Sequence, residues 1–199
     1  LPGKPFCVVK QLNPQTNDPA RLQVARRLFE QEAQVLYRLG SHDQIPKLLA
    51  HLEDEQEFYL VQEYINGESL DHEFLPGRQF SEPQVVALLA ELLEVLTFVH
   101  QQGVIHRDIK PANLMQRKHD GRIVLIDFGA VKQVSTTTMI AGPGWNLTIA
   151  VGSAGYMPSE QLAGRPQFSS DIYAVGMVCL QALAGVPPAV LWQSARTAA

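Results

Sequence analysis

Asn113 and Asp127 stand at the two feet of a predicted β-hairpin, and no other feature constrains the chain as strongly. The segments Asn113 to Arg117 and Arg122 to Ile126 flank a turn containing Asp120-Gly121, a pair that tolerates the positive φ angles of a tight hairpin connection. Folding about that turn sets Asn113 roughly opposite Asp127. An amide oxygen and a carboxylate then arrive side by side, and hard oxygen ligands of this kind suit a divalent cation.

The segments around the hairpin alternate between strand and helix patterns. Pro5 to Leu12 reads as a strand carrying one charge, Lys10. Asp18-Pro19 is a helix start, a capping side chain followed by proline, and Gly40 closes that helix. Within it Leu22, Ala25, Phe29, Glu32, Leu36 and Leu39 recur at helical spacing and share one face. Glu32 is therefore a carboxylate in an apolar seam, and it requires a cation. Glu57 to Ile65 reads as a strand ended by Asn66-Gly67. Ser81 and Gln84 form a capping box before an apolar helix from Pro83 to about Gln101, which Gly103 ends. Lys132 to Ala154 reads as a polar loop. Ala174 to Trp192 carries no charged residue and approaches membrane-span length. Gly176, Gly185, Pro187 and Pro188 divide it, so a buried helix of about 14 residues opened by Asp171 as N-cap is expected instead.

Composition narrows the class. A chain of 199 residues suits one domain or two small lobes. With 46% hydrophobic and 18% charged residues, intrinsic disorder is excluded. A net charge of −4 leaves no basic footprint for nucleic acid or anionic lipid. Cys7 and Cys179 lie in apolar stretches and are expected as buried free thiols; with no secretory signal, the expected location is cytoplasmic. The histidines lack zinc-ligand spacing.

His106-Arg107-Asp108-Ile109-Lys110-Pro111-Ala112-Asn113, followed by Asp127-Phe128-Gly129, resembles the catalytic loop and magnesium motif of the protein kinase family. The resemblance implies an α+β, bilobal fold with an incomplete β-rich N-lobe (residues 1–65) and an incomplete, mainly helical C-lobe (residues 66–199). It implies ATP and Mg²⁺ as cofactors and transfer of the γ-phosphate to Ser/Thr hydroxyls of protein substrates, with no nucleic-acid partner and no membrane span. Asp108 is implied to orient the hydroxyl and accept its proton, Lys110 to steady the phosphate, and Asn113 and Asp127 to hold the metal. Val8-Val9-Lys10 resembles the strand whose lysine grips the phosphates, with Glu32 as its helix partner; this meets the demand made by the apolar seam. Gln62-Glu63-Tyr64-Ile65 resembles the hinge, with Gln62 as gatekeeper and the backbone of Glu63 and Ile65 at the adenine edge. Val8 and Met115 are implied to enclose the ring.

Further matches extend the resemblance from Pro5 to about Pro188. His106 and Phe128 are implied to stack with Leu36. Gly152 to Glu160 resembles the peptide-receiving segment, with Pro158-Ser159-Glu160 where the family has Ala-Pro-Glu. Asp171 and Gly176 match the start of the central C-lobe helix. Lys110 with Ser153 points to Ser/Thr substrates. Arg107, Phe128, Thr148 and Ser153 are implied regulatory positions, because a guanidinium beside Asp108 pairs bidentately with a phosphorylated loop. Of Ser135, Thr136, Thr137, Thr138 and Thr148, Thr148 lies nearest the family's acceptor position. The stretch QEAQVLYRLGSHDQIPKLLAHLE is similar to bacterial eukaryotic-like kinases of cyanobacterial type. Gly3 is the only glycine before Lys10, where the family has a glycine-rich loop, and after Pro187-Pro188 the chain runs only to Ala199, so truncation at both ends and an impaired fragment are expected. Two other readings stay open: a pseudokinase or interaction module, and a small-molecule phosphotransferase on the same fold.

Overall fold

A computed structural model describes residues 6–12, 14, 18–54, 57–130, 132–133, 153 and 155–191. The chain begins with β1 (Cys7–Leu12), α1 (Pro19–Leu39), β2 (Leu48–Asp54) and β3 (Glu57–Glu63). These strands form one antiparallel sheet in the order β1-β3-β2, with Lys10 opposite Leu60 and Val8 opposite Gln62. The Asp18 carboxylate accepts the Ala20 N–H at 3.0 Å, and the Gly40 N–H donates to the Leu36 carbonyl, so both ends of α1 are closed as expected. Phe29, Ala33, Leu36 and Leu39 bury one face of the helix, and the Phe29 and Phe58 rings meet at 5.0 Å. β2 has no counterpart in the sequence reading. It is an edge strand, exposed along nearly its whole length and irregular between Leu48 and Ala50, so no apolar alternation marks it.

The remaining elements are β4 (Gly67–Ser69), α2 (Glu82–Gln101), β5 (Val104–Ile105), β6 (Leu114–Arg117), β7 (Ile123–Leu125), β8 (Lys132–Gln133), α3 (Ser159–Leu162) and α4 (Phe168–Ala184). The second sheet runs β4-β6-β7. Gly67 is required there, since a Cβ would sit 2.5 Å from the Gln116 carbonyl oxygen. The predicted hairpin forms, with Leu114 opposite Leu125 and the Ile126 N–H donating to the Asn113 carbonyl at 3.0 Å. The capping box of Ser81 and Gln84 is also present. Val85, Leu88, Leu92, Val95, Leu96 and Val99 of α2 are buried in the same core as Ala174, Val175, Val178 and Ala182 of α4. That core is continuous with Leu36 and Phe128. Each fully buried aliphatic side chain of this kind contributes about 1.5–3 kcal/mol.

Three expectations change. Asp171 does not cap α4; Gln167 and Ser170 close that end, and the helix runs 17 residues because Phe168, Ser169 and Ser170 join it. Gly185, at φ 68°, terminates it. Cys179 is buried as expected, but Cys7 is exposed because β1 is a sheet edge. Among the described residues the helix with the length and apolar composition to cross a bilayer is α2, not the 174–192 stretch.

The loop between α1 and β2 is sewn to the hairpin. Gln44, fully buried, donates Nε2 to the Ile123 carbonyl at 2.8 Å, while its own carbonyl accepts the Leu125 N–H at 2.9 Å. Beside it Arg117 donates to Asp43 at 2.7 Å and Asp120 at 2.6 Å. The Arg117 guanidinium holds both carboxyls below the usual range, its hydrogen bonds outweighing partial desolvation. This stitching sets α1, and with it Glu32, against the hairpin that carries Asn113 and Asp127.

Candidate active site

The expected site residues converge in two adjoining clusters. In the first, Lys10 Nζ donates to Glu32 Oε1 at 3.0 Å and to Asp127 Oδ1 at 2.7 Å. Desolvation alone would depress the Lys10 ammonium, but the charge of Glu32 and the bond to Asp127 carry it above its ordinary value. Burial would likewise raise the Asp127 carboxyl, yet Lys10 and the Gly129 N–H hold it below the usual carboxylate range. Gly129 makes the close approach possible: a Cβ there would lie 2.7 Å from Lys10 Nζ.

In the second cluster, three side chains surround Asp108. Asn113 Nδ2 donates to the Asp108 carbonyl at 2.7 Å and to Oδ2 at 2.9 Å. Lys110 Nζ pairs with Oδ2 at 2.9 Å. Ser153 Oγ donates to Asp108 Oδ1 at 3.0 Å and accepts from Lys110 Nζ at 2.8 Å. Ser153, expected as a regulatory residue, thus lies in the ring around the carboxylate. Asn113 is buried and Lys110 partly so, which fixes their rotamers at the site.

The backbone beneath the clusters is strained. Arg107 has φ 74° and Asp127 φ 63°, and they are the non-glycine residues with positive φ among those described. Such conformations cost on the order of 1 kcal/mol each and persist only when neighbours impose them. Asp171, 1% exposed, supplies that constraint at Arg107. Its carboxylate accepts the N–H groups of His106 and Arg107, both at 2.9 Å, and bonds His100 Nε2 at 2.8 Å. Gln161 donates Nε2 to the Arg107 carbonyl at 2.6 Å.

His106 is fully buried, with its ring 4.8 Å from Phe128 in an edge-on contact, inside the core that also holds Leu36. Burial pushes the His106 imidazole below its ordinary value, against the opposing charge of Asp171 and the Ile126 carbonyl. Desolvation lowers His42 as well, with Glu94 opposing it. A depressed histidine binds its proton more readily unfolded than folded. Its stabilisation is therefore intact above about pH 6.5 and declines as pH falls, by at most about 1.4 kcal/mol per pH unit per residue. Denaturant titrations between about pH 7.5 and pH 5.5 should show this loss, and His106→Gln should reduce it, leaving the part due to His42. The depressed carboxyls Asp43, Asp120 and Asp127 lose their contribution only at more acidic pH, below about 4.

The remaining expected positions lie outside these two clusters. Val8 and Gln62 face each other across β1 and β3, and the Glu63 amide donates to the Lys47 carbonyl at 2.9 Å. Ile65 is buried. Met115, half-buried on β6, lies opposite Ser69 of β4. Arg107 contributes backbone to the site, while its Nε is buried without a hydrogen-bond partner among the described residues. Desolvation draws its guanidinium below the ordinary value despite Asp171. Thr148 and the hydroxyls at 135–138 lie outside the described residues. Glu160 accepts a hydrogen bond from Ser170 Oγ at 2.8 Å. Tyr156 bonds Gln181, and burial raises its phenol to about 12 against that bond.

The donor set fits a magnesium-bound nucleotide. Asn113 spends Nδ2 on Asp108, leaving Oδ1 as its ligand atom, and Asp127 supplies a carboxylate. Among the described residues no group of three or more His, Cys, Asp or Glu could hold a metal alone. A cation with so few protein ligands takes the rest from phosphate and water, the habit of Mg²⁺. Sequence reasoning did not assign Asp171 and Gln161 to the site; the left-handed Arg107 backbone that they hold has no signature in residue identity.

Comparison with known proteins agrees with this geometry. The family described as protein kinase domain matches residues 3–197. Serine/threonine-protein kinase B of Synechocystis sp. is 50% identical over 191 residues, covering 94% of this chain and 33% of that protein. Serine/threonine-protein kinase PknA of Nostoc sp. is 43% identical over 189 residues, covering 94% and 34%. Calcium/calmodulin-dependent protein kinase type 1 of Caenorhabditis elegans is 30% identical over 174 residues, covering 86% and 47%. The chain thus spans about one third of the length of its cyanobacterial relatives. It belongs to the protein kinase domain family, alongside the serine/threonine kinases of cyanobacteria.

Proposed function

We propose that this chain forms the catalytic segment of an ATP- and Mg²⁺-dependent kinase that phosphorylates Ser and Thr hydroxyls of proteins. The observation that carries the reading is the ring of Lys110, Asn113 and Ser153 around the Asp108 carboxylate. Asp108 orients the attacking hydroxyl and takes its proton as the oxygen bonds to phosphorus. Lys110 places a positive charge beside the transferring phosphate. Lys10, steadied by Glu32, grips the α- and β-phosphates, and Asn113 and Asp127 hold the metal. Mg²⁺, when bound, neutralises oxygens on the β- and γ-phosphates. Val8 and Met115 would enclose the adenine ring, with the hinge backbone of Glu63 and Ile65 at its edge and Gln62 beside it. The division into an N-lobe ending at residue 65 and a C-lobe following it has support in the sheets, since among the described residues β1, β2 and β3 pair with one another and with no other strand.

A thermal-shift titration with ATP, with and without Mg²⁺, tests the nucleotide site. Stabilisation should grow with ligand, reaching about 2.7 kcal/mol at a hundredfold excess over Kd, and should depend on the metal. Absence of any metal-dependent shift would favour an interaction module instead. Parallel assays on a Ser/Thr peptide, a Tyr peptide and a panel of small alcohols define the acceptor. Transfer to the alcohols alone would overturn the protein-kinase reading.

A further inference from the structure

Arg107 is gripped, through the peptides on either side of it, from two elements that do not otherwise belong to the phosphate site. Arg107 adopts φ 74°, and its N–H donates to Asp171 Oδ1 of α4 at 2.9 Å. Its carbonyl, on the far side of the same residue, accepts Nε2 of Gln161 at 2.6 Å. Gln161 belongs to α3, a helix of four residues, and is 3% exposed. The Arg107 carbonyl shares its peptide plane with the Asp108 N–H, which itself donates to His106 Nδ1 at 3.3 Å. Rotation of that plane would carry Asp108 away from Lys110 and Ser153.

Resting on the kinase reading above, we infer that Gln161 is a positioning residue for phosphoryl transfer. Its amide holds the left-handed Arg107 backbone from the carbonyl side, as Asp171 holds it from the amide side, and so sets the angle at which Asp108 meets the acceptor hydroxyl. A buried primary amide is suited to this task, because it donates to a carbonyl without adding charge beside a catalytic carboxylate. The contact also ties α3, which follows Ser153 and Tyr156 in the chain, to the loop that bears Asp108. Placement of α3 and alignment of the proton acceptor are thereby coupled.

The test uses steady-state kinetics of the full-length protein carrying Gln161→Met and Gln161→Glu. Met fills a similar volume but cannot donate, so kcat should fall about 10- to 100-fold. KM for ATP should stay within about twofold, because Lys10, Asn113 and Asp127 are untouched. Glu presents a carboxylate to the carbonyl near neutral pH and a donating carboxylic acid when protonated. Its kcat relative to wild type should therefore recover as pH is lowered from about 8 to about 6. A structural role alone would lower the melting temperature without such pH-dependent recovery. Wild-type kcat in folded Gln161→Met overturns the inference, and if that variant does not fold, a flat pH ratio for Gln161→Glu overturns it equally. In either case wild-type turnover leaves the kinase reading standing; a wild type that transfers no phosphate overturns both.

Discussion

Replacing Asp108 by Asn should lower phosphate transfer by about 100- to 10,000-fold, the range associated with loss of a positioned proton acceptor. The substitution keeps the size of the side chain and one oxygen, so Asn113, Lys110 and Ser153 retain a partner at that position. What disappears is the carboxylate proposed to take the hydroxyl proton and the charge that balances Lys110 at 2.9 Å. Binding of Mg-ATP should be nearly unchanged, since Lys10, Glu32 and Asp127 form a separate cluster. Initial rates on a Ser/Thr peptide and metal-dependent thermal shifts, measured on the same preparations, separate the two effects. Near-normal turnover in this variant would remove Asp108 from the mechanism.

The largest effect on stability should come from Asp171→Ala. One carboxylate, 1% exposed, accepts from two backbone amides and a histidine. Removing it strands these donors in the interior and releases the constraint on Arg107. The expected loss is about 3 kcal/mol, taking 1–3 kcal/mol for a stranded buried donor and allowing partial relaxation. For a domain of this size that corresponds to a fall of about 6–12 °C in the unfolding midpoint. Asp171→Asn keeps one acceptor oxygen and should lose less. Equal midpoints for wild type and Asp171→Ala would mean that the loop holds its shape unaided. Kinetics on the folded fraction of Asp171→Ala should also show a reduced kcat, because Asp108 follows directly on the released backbone.

The parts of this architecture visible in the sequence are those written in local chemistry. Asp18-Pro19, the Ser81 and Gln84 box and Asp120-Gly121 each close an element through groups a few residues apart, and each forms as expected. Glu32 was legible for a different reason: a charge in an apolar seam advertises a missing partner, and Lys10 is that partner. Positions whose role depends on distant neighbours were not legible. Asp171 looks like a helix cap because Asp often is one; only the fold brings the amides of His106 and Arg107 to its oxygens. Cys7 looks like a core residue because its neighbours are apolar, while its strand lies at a sheet edge with both faces exposed. β2 carries no alternation because almost none of it is buried. The positive φ angles at Arg107 and Asp127 belong to residue types that usually avoid or merely tolerate that region, and they exist because the surroundings impose them.

The buried Gln44 gives the molecule a fulcrum. Its side chain and carbonyl are bonded to the Ile123 and Leu125 backbone, so residues 43–44 move with the hairpin although they follow α1 in the chain. A tilt of the β1-β3-β2 sheet about that point would move Lys10, on β1, relative to Asp127, which follows the hairpin. The first bond to part in such a motion is the exposed Lys10–Asp127 contact, which water can replace at little cost, rather than the enclosed amide bonds of Gln44. The link between α1 and the hairpin is thus enclosed at Gln44 and open to water at Lys10.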